Sequence, residues 1–287
     1  MNLNILTLRA GDSVAEVNLV GAALTNLRLG ERVLIPNVNP RTRTYFGSLL
    51  APWPNRIKAA AYNFDGRDYA LEAEDGIGNA LHGLAFKQQG EILDQTESAV
   101  KIGIAVPVTS GYPFEISIEV SYQVFEDQLS VEIEAKNLGK STAPIGLGHH
   151  PYFAVETDTK VEIRAATAYV HDNFKIPSKQ IESAQLELGE GRPVNVVGLD
   201  LDTQFSGLHQ PAATLSYGSE TFDLWVSGGD YLMIYTPKDF PWESGTGPAI
   251  AIEPQTCAVD AFNSQQGLIQ LASGEVLKLA WGIKRAG

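Results

Sequence analysis

The chain has 287 residues, 44% hydrophobic and 19% charged, with 21 basic against 34 acidic side chains and a net charge of −13. That suits a soluble globular protein of one large or two modest domains, and the acidity, broken by no basic cluster, argues against nucleic acid or an anionic membrane surface as partner. A single cysteine, Cys257, excludes an intrachain disulfide and fits a reducing cytosol.

Along the chain, the opening MNLNILTLRAGD lacks a basic region followed by a long apolar run, so no secretory signal is expected. No apolar run approaches the length of a bilayer span, and the expectation is a cytoplasmic protein. Residues 49–57, LLAPWPNRI, pass from an apolar run through Pro52 and Pro54, which hold the chain extended, to Asn55 and Arg56. The guanidinium fork of Arg56 suits oxygen-rich ligands or a carboxylate, and a surface ion pair is the plainer reading. Asp65-Gly66 within YNFDGRDYAL marks a hairpin. GNALHGL follows, setting Asn79, His82 and Gly83 in a loop where the glycine would let a ligand approach the backbone.

The strongest signal is a period of two. Ile116, Ile118, Val120, Tyr122 and Val124 alternate with polar residues, Glu126-Asp127-Gln128 turns the chain, and Leu129, Val131, Ile133 and Ala135 resume the alternation. This is a hairpin with one buried and one wet face. The octapeptide GLGHHPYF (146–153) then brings two of the five histidines together. Pro151 pushes His150 toward an extended conformation. With both histidines extended, the imidazoles point to opposite faces, and only one of them enters a given pocket. A second glycine turn, Gly228-Gly229 in FDLWVSGGDYLMIYT, predicts a third hairpin. Ala249–Ile252 read as a buried strand, and Glu253 follows at its end, before Pro254. A carboxylate there belongs at a cleft mouth or in a firm pair, and desolvation would raise its pKa. VLKLAWGI near the end is a further strand. Helical patterns are scarce, and no repeat or linker divides the chain. The expectation is an all-β protein, a large antiparallel β-sandwich in one domain over 1–287.

PWPNRI, NALHGL, GHHPYF and EPQTCAVDAFN, in this order and spread over roughly residues 45 to 265, resemble the motifs of the aldose 1-epimerase (galactose mutarotase-like) family. The resemblance implies that family's single-domain supersandwich, and interconversion of the α and β anomers of a free aldose without metal or other cofactor. By motif, His150 would be the catalytic acid and Glu253 the catalytic base, set on opposite sides of the sugar's C1–O5 unit. Arg56 and His82 would line the sugar site. Asp202 in LDLDTQF would bind sugar hydroxyls, with Asp200 as the neighbouring choice. HPYF, preceded by His149, resembles a broader bacterial branch whose sugar is less often defined. Trp53 and Tyr152 are either flat faces for a sugar or core.

Rival readings are a lectin-like sugar sensor, a hexose-6-phosphate epimerase, which would need further cations at the cleft, and a glycoside hydrolase, which would need a second placed carboxylate. A metal held by His82, His150 and Glu253 lacks any tight ligand spacing.

Overall fold

The structure is a computed structural model that describes residues 4–38, 45–189 and 191–287. It is a large antiparallel β-sandwich. Among the described residues the largest sheet has fifteen strands, beside a four-stranded sheet formed by residues 5–35 and several two-stranded ribbons. The only α-helix among them is the short Ala261–Ser264 turn.

The alternation of apolar residues becomes the core directly. In the strands Ile116–Val124 and Gln128–Asn137, every residue predicted to face inward is buried, and the two pair from Ile116↔Asn137 to Val124↔Leu129. The Asp65-Gly66 hairpin joins Ala61–Phe64 to Arg67–Ala70, and the terminal strand runs Val276–Arg285 against 128–136.

The third predicted hairpin does not form. Glu220–Ser227 and Tyr231–Tyr235 do not pair with each other; both lie antiparallel to one sixteen-residue strand, Asp202–Tyr217. Asp202–Ser206 pairs with the second and Ala213–Tyr217 with the first. The long strand thus holds the two end to end, running the same way, and Gly228-Gly229 makes a sideways step instead of a reversal. This step brings 231–235 against Ala249–Gln255, which builds the floor of the site.

Residues 249–255 are buried throughout, and the strand continues past Glu253 to Gln255. Glu253 is therefore inside a strand and not at its end. Proline is tolerated at 254 because the neighbouring chain is interrupted there: Tyr152–Ala154 covers 249–251, Gly148 pairs with Gln255, and His149-His150-Pro151 lies between.

Candidate active site

Three of the singled-out segments converge where that neighbour is interrupted. Cβ atoms at Gly146 and Gly148 would stand 2.9 and 2.8 Å from Pro54, and one at Gly146 would stand 2.4 Å from the Cys257 sulfur. Bare backbone is what lets PWPNR, GLGHHPYF and EPQTC touch. The distal part of the last segment serves as a clamp. Asp260 accepts from the Lys58 N–H (2.9 Å) and donates its own N–H to the Arg56 carbonyl (2.8 Å), tying the Arg56 segment to the 249–263 stretch.

The histidine doublet splits across the sheet. His149 faces the core: its ring lies against Trp281 and its Nε2 is 2.8 Å from the Tyr122 hydroxyl. That hydroxyl donates to the Ala22 carbonyl, so His149 Nε2–H is the donor to it. His150 faces the other way, its ring stacked on Tyr152 (4.6 Å, 14° between planes) and edge-on to His82 at 5.0 Å. Its Nε2 is 3.3 Å from Glu253 Oε1, with both side chains almost fully buried.

This pair stands in direct contact, whereas the family resemblance implies a sugar ring between the two groups. Burial pushes His150 down to about 3 and Glu253 well above the usual carboxylate range. In water the proton of such a pair would sit on the imidazole; here desolvation favours the uncharged partners and moves the balance toward a proton on Glu253.

His82 sits at φ +61°, followed by Gly83 at +75°. Its Nδ1 accepts the Asn55 backbone N–H at 3.2 Å, which leaves the proton on Nε2 and makes that atom a fixed donor. Burial, with His150 and Arg56 nearby, lowers its pKa well below the ordinary value, so the ring stays neutral. Gly83 does not serve ligand approach: a Cβ there would stand 2.1 Å from the Ala51 carbonyl oxygen, so the glycine serves chain packing. Trp53 is likewise core, packed against Tyr112 and Phe262, while Tyr152 backs His150.

Arg56 Nε reaches Asp75 at 3.2 Å and Nη1 reaches Asp202 at 3.8 Å. Asp202 also lies 3.4 Å from Lys175, whereas Asp200 is out in solvent beside Lys238. Asp75 carries no signal in the sequence. Burial alone would raise its pKa, but hydrogen bonds from Asn79, Ile77 and Arg56 hold it below the ordinary value. His171 stands half-buried beside Asp202, Arg56 and Lys175, and its Nε2 is buried without a hydrogen-bond partner.

Register explains how distant residues meet. Asp202, Tyr235 and Ala251 form one cross-strand row, Gln204, Met233 and Glu253 the next, and Ser206, Tyr231 and Gln255 a third. Gln204 and Gln255 are fully buried and link to each other at 2.9 Å, and Gln255 Nε2 is 3.2 Å from Glu253 Oε2. Neither stands in a motif of its own, although each follows a candidate acid by two residues and so shares its face of the strand. Asp75, His171 and Lys175 had no comparable local signal. Among the described residues no three His, Cys, Asp or Glu side chains are grouped closely enough to hold a metal ion, and no helix is long and apolar enough to cross a membrane.

Comparison with known proteins gives a consistent set of likenesses. The family model described as aldose 1-epimerase matches residues 4–284. The Escherichia coli protein YihR is 28% identical over 97% of this chain and 92% of its own length. The galactose mutarotase of Bos taurus is 29% identical over 49% of this chain and 43% of that protein. Among solved structures, the GalM/aldose epimerase homologue from C. elegans superposes with a TM-score of 0.87 at 18% identity, covering 98% of both chains. The galactose 1-epimerase of Lactobacillus acidophilus does so with a TM-score of 0.82 at 17% identity, covering 99% of this chain and 95% of that one. At these identities the structural likeness speaks to the fold.

Proposed function

This chain belongs to the aldose 1-epimerase family, and on that footing we propose that it is a mutarotase, interconverting the α and β anomers of a free aldose. The observation that carries the reading is the buried contact between His150 Nε2 and Glu253 Oε1 at 3.3 Å. Ring opening removes a proton from the C1 hydroxyl and delivers one to the ring oxygen O5. Both oxygens are bonded to the same carbon. An acceptor and a donor held side by side therefore address both at once, and a ring between them is not required.

Glu253 takes the hydroxyl proton and His150 protonates O5. Rotation about C1–C2 then turns the other carbonyl face inward, and the reverse transfers close the ring. His82 Nε2–H is a neutral donor for O5 or a neighbouring hydroxyl. Arg56 and Asp202 bind hydroxyls, His171 Nε2 is an acceptor beside them, and Tyr235, partly exposed in the row of Asp202, offers a ring face to sugar C–H groups.

Charge at the rim supports an uncharged sugar. Arg56 and Lys175 face Asp75 and Asp202, two cations matched by two carboxylates. The setting proposed is the cytoplasm, with the whole chain acting as one domain.

The deciding experiment follows anomer exchange by polarimetry or NMR on freshly dissolved aldoses and their 6-phosphates. Acceleration with one or more free aldoses is expected. No acceleration with any of them overturns the reading, and sugar binding without exchange would indicate a sensor.

A further inference from the structure

The hydrogen bonds behind Glu253 have a direction, and the main chain sets it. The Val259 N–H donates to Gln204 Oε1 at 2.9 Å, so the opposite end of that side chain is its NH2. This NH2 donates to Gln255 Oε1 at 2.9 Å, with the Cys257 carbonyl at 3.5 Å as a weaker second acceptor. Gln255 then has only its own NH2 to turn toward Glu253, and Nε2 lies 3.2 Å from Oε2. Both glutamines are fully buried. Flipping Gln255 alone would set NH2 against NH2 on one side and a carbonyl against the carboxyl group on the other. In a dry interior such mismatches are costly, and a fully satisfied network holds one orientation.

We propose that Gln204 is a positioning residue that, acting through Gln255, favours Glu253 as the proton acceptor of the pair and makes Oε1 its reacting oxygen. The proposal rests on the epimerase reading above and deepens it. Oε2 receives an N–H, a bond that is stronger to a carboxylate than to a neutral acid's carbonyl and so favours the ionised form, and this leaves Oε1, the atom beside His150, as the oxygen that takes and loses the proton. Burial works in the opposite sense, favouring a protonated Glu253 and a bare imidazole, and in that state the two roles would be exchanged. The relay opposes burial at Glu253 and holds its proton affinity below what burial alone would give. Gln204 itself lies a full residue behind Glu253 in the relay and is closed to solvent.

The test uses the full chain with Gln204→Met, which keeps the length and removes the amide, and Gln255→Met, which cuts the same relay one link nearer. Protein carrying 13C at the glutamate Cδ positions is titrated without sugar, and Glu253→Gln identifies the resonance. The Glu253 midpoint is expected to move to higher pH in both variants, and at least as far in Gln255→Met. In the exchange assay the acid limb of kcat should move up with it. At neutral pH, kcat should fall about 10- to 100-fold, the range for losing a hydrogen bond to a charged group, with KM within about twofold. An unmoved midpoint and acid limb in folded variants, with the loss confined to melting temperature or KM, would assign the glutamines to packing alone and overturn the proposal. Should Gln204→Met fail to fold, Gln255→Met decides by the same two readouts. If wild type exchanges no anomers, the epimerase reading fails, while the titration still decides whether the relay governs Glu253.

Discussion

Replacing Glu253 with glutamine tests the site at its centre, and the surrounding bonds dictate what the new side chain does. Gln255 Nε2 already donates toward position 253 at 3.2 Å, so the introduced amide must turn its oxygen to Gln255 and its NH2 to His150. The result is a donor where the reaction needs an acceptor, in an isosteric side chain that disturbs no packing. Losing a positioned base lowers kcat by about 10²–10⁴. Sugar affinity measured by calorimetry should stay within a few-fold of wild type, since Arg56, His82 and Asp202 are untouched. The thermal readout has a sign of its own. The folded pKa of Glu253 is raised, so the native state binds the extra proton, and wild type loses stability as pH rises from about 4.3, the unfolded value, through the folded value. The glutamine variant has no such loss, and its melting temperature should gain on wild type as pH rises across that window. Exchange of freshly dissolved α-anomer at pH 7, followed by polarimetry, is the assay. A variant within about tenfold of wild type would remove Glu253 from the base role, because one positioned base is worth at least 10² or so.

His149→Leu should leave anomer exchange nearly intact, because that ring faces Trp281 and Tyr122. It should also relieve acid sensitivity. Burial holds His149 down to about 3 when folded, against about 6.5 unfolded. Its stabilising contribution is therefore complete above pH 6.5 and is lost as pH falls toward 3, by roughly 4–5 kcal/mol at about 1.4 kcal/mol per unit. Urea midpoints at pH 7 and pH 4.5 should lie closer together in the variant than in wild type, His150 and His82 keeping the remaining difference. Gly83→Ala places a methyl 2.1 Å from a backbone oxygen at φ +75°; a loss of about 2–4 kcal/mol in denaturant unfolding is expected, with a raised KM as His82 shifts. Arg56→Lys keeps the charge but cannot span Asn55, Asp75 and Asp202 together. KM should rise about tenfold, near 1.4 kcal/mol, while Asp200→Asn, altering an acid in solvent, should leave both constants unchanged in the same assay.

Much of this architecture is written in the chain as periodicity. Alternation at 116–124 and 129–135 names its own buried face because a strand admits only two faces, and Pro151 with an extended backbone is enough to send His149 and His150 apart. What local pattern cannot carry is which strands become neighbours. Gly228-Gly229 looks like a reversal and is a sideways step, because a long strand elsewhere, 202–217, accepts both flanking strands along one edge. Glu253 looks like a strand end because Pro254 follows, yet a gap in the adjacent chain leaves room for the proline. The contact of His150 with Glu253, the placing of Asp202 and not Asp200 beside Arg56, and the arrival of Asp75, His171 and Lys175 all depend on cross-strand register and loop packing between residues up to a hundred or more positions apart. Sequence by itself determined the fold class, the buried faces and the acid–base residue types available to a site, since these follow from local geometry and chemistry. Tertiary structure decided distance, burial and hydrogen-bond direction, and those decide which buried atom holds the proton.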